Sequence, residues 1–406
     1  MKSADSSFPR ILLMADFPPD EQHGGGVLIR RLARELPSGR LCWFSSRPLL
    51  GGRMPEGLEH VPFAHADYTV RRPNRFGLAS WREYLNLRWL SLLQAQKAAA
   101  WGASCGVNAV WAVMQEQVIV SGPVAARLLG VPCHVSVHDV PSYFLQGRLS
   151  PVKMKRFESI FHTEYRNAAS RDVICEAMRR HCMERTGADA IVVTHGWENP
   201  TEILSEPIPS PAGDRLRIHY AGMVYDQELL RAFILGLEKE RDGGRFPRFE
   251  FVLFGSNKFK PRMAPWPQSV CWLGWLNDVD LAAKLKESDF LYFQHPFDQE
   301  RRDFAATSFP AKLSSYLRAR RPIIFHAPEY SSVSELARKH RLPFLLNQRD
   351  AASAARAFAE EWKTVVVVPG WQIGYDSAVR EFDWAKTRKL FFETIGQLGN
   401  VKPRSL

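Results

Sequence analysis

The sequence predicts an α/β protein made of two consecutive doubly wound domains, each a parallel sheet with helices on both faces. Three observations carry that prediction. Short apolar runs alternate with helical patterns along the chain, a proline-rich stretch interrupts them near the middle, and the alternation then restarts. Strands separated by helices of roughly 10–20 residues form βαβ units, whose strands pair in parallel and are covered on both sides.

In the first half, Arg10–Phe17, Leu41–Ser46, Ala109–Met114, Cys133–Asp139, Asp172–Cys175 and Ala190–His195 read as strands. Helical patterns lie between them at Gly26–Leu36, Trp81–Ala100, Val118–Leu129, Pro151–Ala168 and Ala177–Thr186. The stretch Asn199–Asp214 then holds four prolines in sixteen residues. Proline fixes φ and removes a ladder donor, so this stretch reads as an inter-domain linker. Beyond it, strands are expected at Leu216–Ala221, Phe249–Phe254, Val270–Leu273, Phe290–Phe293, Pro322–His326 and Pro343–Leu346. The intervening helices are Glu228–Arg241, Asp280–Glu287, Pro310–Arg320, Ser332–His340 and Ala351–Lys363, and Tyr375–Leu398 reads as one final amphipathic helix. Two such halves joined by a hinge are expected to face each other across a cleft.

The bulk properties narrow the function classes. No run approaches the roughly 18 apolar residues that span a bilayer, and Ile11–Ala15 is too short for a secretory core. The six cysteines form no CxxC pair, which argues against a metal site or a disulfide framework and for a reducing cytoplasm. Lys and Arg exceed Asp and Glu by 54 − 43 = 11. Such an excess suits nucleic acid, an anionic membrane surface or a phosphorylated substrate. No RNP-like aromatic motif or zinc spacing accompanies it, so no nucleic-acid partner is expected.

Several segments carry chemistry. Gly24, Gly25 and Gly26 open a helix directly after the first strand and its loop, where bare backbone N–H groups can approach an anion; the bland reading is a flexible loop. His138 ends a strand beside Asp139, at the edge where doubly wound sheets bind ligands, and an imidazole there can orient a hydroxyl or serve structure alone. In Thr307–Leu317, Ser308 is placed to cap a helix, Pro310 suits its first turn, and Lys312 stands beside the free N–H groups as a phosphate cradle. Finally, Arg71–Arg75 leads into a helix bearing Trp81, Arg82, Leu85, Arg88, Trp89, Leu92 and Leu93. Helical spacing places Leu85, Trp89, Leu92 and Leu93 on a core face with the arginines solvated; the alternative is an interfacial membrane contact.

The order of motifs resembles glycosyltransferase family 4. The resemblance rests on His138-Asp139, Ile174–Met178, His195-Gly196, His219-Tyr220-Ala221-Gly222, Phe251–Gly255, Val270–Gly274 and Ser288-Asp289. Its strongest part is Phe309-Pro310-Ala311-Lys312-Leu313 with Tyr316-Leu317 and Arg321-Pro322-Ile323-Ile324, followed by Arg380–Trp384.

That resemblance implies a GT-B architecture: an acceptor domain at 1–200, a nucleotide-sugar domain at 201–375, and a segment at 376–406 crossing back to the first domain. It implies retaining, metal-independent transfer from a nucleotide sugar, with no resident cofactor, to a saccharide or lipid-linked acceptor. Peripheral contact with the inner membrane surface would fit such an acceptor. By position, Gly24–Gly26 would lie near the diphosphate and sugar, and His138 would be the catalytic-site histidine. Gly222, Lys258, Ser308, Phe309, Pro310, Lys312, Leu313 and Ser315 would form the donor site. The sequence departs from the family where two glutamates are usual, here Thr307 and Ser315, and where an arginine follows the glycine, here Met223. Those departures support an alternative, a GT-B protein that has lost catalysis and acts as a binding or partner subunit.

Overall fold

The computed structural model describes residues 8–16, 24–49, 52–70, 78–205, 215–255, 266–367 and 371–400. The chain divides into two compact units, one comprising Met1–Thr194 with Ala385–Leu406 and the other His195–Trp384. The expected divisions from the sequence lie at residues 200 and 375.

The first unit holds a seven-stranded sheet. Its strands are β1 (Ile11–Ala15), β2 (Leu41–Ser45), β3 (Phe63–His65), β4 (Ala109–Val113), β5 (Cys133–Val137), β6 (Ser170–Val173) and β7 (Ile191–Val192). They lie in the order β3-β2-β1-β4-β5-β6-β7, and every pair is parallel. β1, β2, β4 and β5 are buried along their whole length, as continuous apolar runs in a doubly covered parallel sheet should be. β3 has no counterpart among the strands expected from the sequence. It is an edge strand of three residues and only partly buried, too short to show a period.

The second unit holds a six-stranded sheet of β8 (Arg215–Ala221), β9 (Arg248–Phe254), β10 (Val270–Gly274), β11 (Phe290–Gln294), β12 (Ile323–His326) and β13 (Leu345–Leu346). Their order is β10-β9-β8-β11-β12-β13, again all parallel. Strand residues alternate between two cores. Ile218, Phe251 and Tyr292 point into one, while Ala221, Val252 and Phe293 point into the other. In both sheets the strand order reverses beside the first strand of the unit, between β1 and β4 and between β8 and β11. The carboxyl ends of strands at such a switch point are where doubly wound sheets bind ligands.

The structure revises three local expectations. The proline-rich stretch is not wholly a linker: Pro200–Ser205 is helical, and Ile203 is buried in a core of the second unit. The last helix is two helices, Trp371–Glu381 and Trp384–Gly396. They separate because Phe382 and Asp383 leave the helix to pair with Trp197: Trp197 N donates to Phe382 O and Trp384 N donates to Trp197 O, each at 2.9 Å. Gly196 permits this approach, since a Cβ there would lie 2.5 Å from the Phe382 carbonyl oxygen. From Ala385 on, the second of these helices belongs to the first unit, where the Phe391 and Trp111 rings lie tilted with centres 4.9 Å apart. Third, Leu85, Trp89 and Leu93 are exposed rather than facing the core, and Leu92 is half-buried.

Among the described residues no helix is long and apolar enough to cross a membrane, and all six cysteines are free.

Candidate functional site

The second unit gathers its polar groups at the carboxyl end of β8. β8 stops at Gly222, whose φ of +87° a residue with a side chain would adopt only under strain. The Gly222 N–H donates to Phe254 O at 2.8 Å, fixing the turn against the end of β9. A Cβ at Gly222 would lie 3.8 Å from Lys312 Cδ, so the lysine stem runs past this turn.

The Lys312 ammonium donates to Tyr220 Oη at 2.8 Å and to the Met223 carbonyl at 3.2 Å. Tyr220 Oη in turn donates to that carbonyl at 2.6 Å. The ammonium also lies 4.1 Å from the Tyr220 ring centre, 4.5 Å from that of Tyr225 and 5.3 Å from that of Phe293. Among the described residues it forms no ion pair. Burial pushes its pKa well below the ordinary lysine value, because three aromatic rings and two neutral oxygens do not replace bulk water around a cation. An anion placed here would meet an amine whose protonated form has no counter-charge among the described residues, and would favour that form.

Lys312 is held in place by its own helix, Lys312–Ala319. Tyr316, one turn on, is fully buried, and its hydroxyl accepts from the N–H of Ala221, the last residue of β8, at 2.7 Å. Leu313 and Leu317 are fully buried beside it. The loop after β8 is anchored as well. Arg301 pairs with Asp298 and Asp226 and donates to the Tyr225 carbonyl, and Gln294 donates to Asp226 O at 2.9 Å.

The helix start differs from the expected cradle. Ser308 does not cap this helix; it closes the preceding one, Arg302–Thr307, and its carbonyl accepts from Ser332 Oγ. Ala311 occupies the capping position. The N–H groups of Leu313 and Ser314 donate to Pro310 O and Ala311 O at 3.0 and 3.1 Å, so a tight turn already engages two of the amides expected to be free. Phe309 stacks on Phe382 at 5.5 Å, and Pro310 is buried. Thr307 directs its hydroxyl to Asp303 O at 2.7 Å, while Ser315 is half-buried on the helix. The structure thus brings together Gly222 and Lys312, places Ser308, Phe309, Pro310 and Leu313 in supporting packing, and leaves Lys258 outside the described residues.

In the first unit, Gly24, Gly25 and Gly26 form the first turn of the helix Gly24–Arg34, which has no acidic residue in that turn. His138 follows β5 and is half-buried, lining a narrow recess with Met114, Gln115, Asp139 and Phe144. Burial lowers its pKa, which favours the neutral imidazole, and the Asp172 carboxylate partly offsets that.

Two features were missed in the sequence. Tyr220 lay inside a quoted motif, and its position at a strand end two residues before the glycine was the available signal. Asp16 directly follows β1 at the switch point. It accepts from Ser46 Oγ and, at 3.2 Å, from the Val118 N–H. Burial pushes its pKa up to about 7, with the Ser46 hydrogen bond opposing and Glu116 adding to the rise.

Neither a protein-family model nor a curated protein sequence matches the chain. Solved structures do. The chain is similar to an α,α-trehalose-6-phosphate synthase from Burkholderia multivorans at 13% identity and a TM-score of 0.62, covering 97% of this chain and 99% of the other. It is also similar to a sucrose-phosphate synthase from Thermosynechococcus elongatus, at 14% identity and a TM-score of 0.61 over 96% and 98%. A third likeness, at 13% identity and a TM-score of 0.60 over 97% and 100%, is to "trehalose-6-phosphate from E. coli bound with UDP-2-fluoro glucose". At such identities the likeness establishes the fold, which is GT-B: two Rossmann-like α/β domains.

Proposed function

We propose that the chain is a glycosyltransferase similar to family 4, moving a sugar from a nucleotide-sugar donor to a saccharide or lipid-linked acceptor of a surface polysaccharide or glycolipid. The observation that carries the reading is the Lys312 ammonium, held at the β8–β11 switch point by Tyr220 and Met223 with no carboxylate among its described partners. Departure of a nucleoside diphosphate develops negative charge on phosphate oxygens. A fixed, poorly hydrated cation beside those oxygens stabilises that charge more than water does. The fold supports the reading, and one neighbour carries a UDP-sugar analogue. In this reading transfer retains the anomeric configuration and uses no resident metal or cofactor. His138 contributes a neutral imidazole that holds a sugar hydroxyl, and Gly222 gives the diphosphate close access to backbone. The test is calorimetric titration of nucleoside diphosphates and nucleotide sugars into the wild-type chain and Lys312→Ala. Binding that the substitution does not weaken would overturn the reading.

A second reading, a non-catalytic GT-B subunit, is favoured by one set of observations. Thr307 and Ser315 stand where the family carries carboxylates, and the Thr307 hydroxyl is engaged with its own helix. Nucleotide binding with no acceptor-dependent release of nucleoside diphosphate would select it.

A further inference from the structure

The first unit presents a helical face whose polarity is inverted. Residues 79–104 run continuously as an α-helix to Leu85, a π-turn at Asn86–Leu90 and an α-helix to Ser104. A surface helix normally turns its bulky apolar residues inward and its polar ones to water. Here Asn86, Ser91 and Gln94 are buried beside Ala95 and Ala98, and Leu87 is the one bulky apolar residue of the described helix that is fully buried with them. Asn86 accepts from the Val70 N–H at 3.1 Å, and Ser91 donates to Leu87 O at 2.9 Å. Outward point Leu78, Trp81, Leu85, Trp89 and Leu93, each between 43% and 55% exposed. Single exposed apolar residues are ordinary, but five on successive turns form a stripe about 20 Å long at the usual helical rise. In an α-helix a step of four residues overshoots one turn. The wider π-turn between Leu85 and Trp89 reverses that drift and keeps the stripe on one side.

Cations flank the stripe. The Lys153 ammonium lies 4.1 Å from the Trp81 ring centre, and the Arg88 guanidinium lies 5.1 Å from that of Trp89. The neighbouring helix Pro151–Asn167 is joined to this one where Ser150 N donates to Ser80 Oγ at 2.7 Å, and it adds exposed Val152, Lys155 and Arg156. Glu83 is the sole carboxylate between Leu78 and Lys97, and Arg148 holds it at 2.5 Å.

We propose that this face docks on an anionic lipid surface. Tryptophan and leucine would enter the boundary between headgroups and acyl chains, while Arg88, Lys153, Lys155 and Arg156 meet lipid phosphates. Charge decides against a second copy of the chain as the occupant. A two-fold contact on this stripe would set two copies of the same face, each carrying Arg88, Lys153, Lys155 and Arg156, against one another. The proposal does not depend on glycosyl transfer.

Flotation of the full chain with phosphatidylcholine vesicles, with and without phosphatidylglycerol, tests it. The wild-type chain should float with the anionic vesicles, weakly or not at all with the neutral ones, and less as salt rises. Leu85→Ser with Trp89→Ser should lower vesicle partitioning at least about tenfold while circular dichroism stays unchanged. Arg88→Gln with Lys153→Gln should weaken binding to anionic vesicles and flatten its salt dependence. No flotation of the wild type with phosphatidylglycerol, or flotation indifferent to the Leu85 and Trp89 changes, overturns the proposal. So does a wild-type dimer by light scattering that those two changes convert to monomer without any vesicle binding.

Discussion

Lys312 and Tyr220 share a hydrogen bond of 2.8 Å across the end of β8, and the carbonyl that both address belongs to Met223. Met223, directly after the Gly222 turn, thus contributes its backbone oxygen rather than a charge. Under the proposed function, neutralising a donor phosphate in this unit falls to Lys312. Lys312→Ala is expected to weaken binding of the preferred nucleotide sugar about ten- to a hundredfold at low salt, since a charge-assisted contact is worth roughly 1.5–3 kcal/mol. The lysine pKa is depressed by burial and would rise beside a diphosphate. Binding should therefore take up protons wherever the free chain's lysine is partly deprotonated, and affinity should fall as pH rises through the lysine's free-state value. Titration calorimetry in buffers of different ionisation heat reads this directly. Uptake that persists in Lys312→Ala would assign the proton elsewhere.

Tyr316 sets where Lys312 stands. Tyr316→Phe removes the acceptor of the Ala221 N–H, which a buried strand end cannot replace with water. A buried donor left unpaired costs about 1–3 kcal/mol. Thermal unfolding should report that loss. Donor affinity should fall as well, because the helix carrying Lys312 loses its tether to β8. A variant as stable as wild type that also binds donor equally would show that Leu313 and Leu317 alone fix the helix.

Much of this fold was legible because parallel strands buried on both faces are continuous apolar runs, as in Ile11–Ala15 and Phe290–Gln294. Periodicity reports that a helix has two faces, but not which face meets the protein. That is why Leu85, Trp89 and Leu93 were expected inside while Asn86 and Gln94 occupy the interior. Likewise the break at Phe382 follows from pairing with Trp197, nearly two hundred positions earlier, and no local signal marks it. Motif order pointed to Lys312 and Gly222 as candidates, and the structure places the two side by side. Tyr220 was not, because a tyrosine in an apolar strand reads as core until its hydroxyl is seen to reach Lys312.

The first unit has a polar network inside its sheet. His134 Nε2 and Asp172 Oδ2 lie 2.6 Å apart, His134 Nδ1 lies 2.8 Å from Ser170 Oγ, and Trp111 Nε1 donates to Ser136 Oγ at 2.8 Å. Ser136 in turn donates to Asp172, and His134 and Asp172 are both essentially inaccessible. Removing one partner of such a pair strands the other in low dielectric. Asp172→Ala should cost about 3–5 kcal/mol, whereas a joint replacement of His134 and Asp172 by apolar residues should cost much less. Denaturant unfolding of the single and double variants checks this. Equal losses would mean that the cost is cavity rather than unpaired polarity.

Acid should act differently on the two units. In the second, burial lowers the pKa of His219 to about 4, of His295 to about 3 and of His326 to about 4, from an ordinary 6.5. Lys312 adds to the effect at His295. A histidine whose folded pKa lies below its unfolded value takes its proton first in the unfolded chain. Its stabilising contribution is complete above pH 6.5 and is lost as pH falls toward the folded value. By pH 5 each histidine can cost at most about 2 kcal/mol, since one pKa unit corresponds to 1.36 kcal/mol. In the first unit, burial also lowers His138 and His162, but Asp16 moves the opposite way, with its pKa raised from 3.8 to about 7. A raised carboxyl contributes stability fully below 3.8 and loses it as pH climbs through about 7, so Asp16 offsets those histidines on acidification. Between pH 7 and 5 the second unit should therefore destabilise more steeply than the first. Hydrogen exchange measured peptide by peptide at both pH values should show protection falling more in β8, β11 and β12 than in β1 and β4, after correction for intrinsic exchange rates. Asp16→Asn should remove the offset and bring the first unit's acid response closer to the second's. Equal loss of protection in both units of the wild type would refute the opposed titrations.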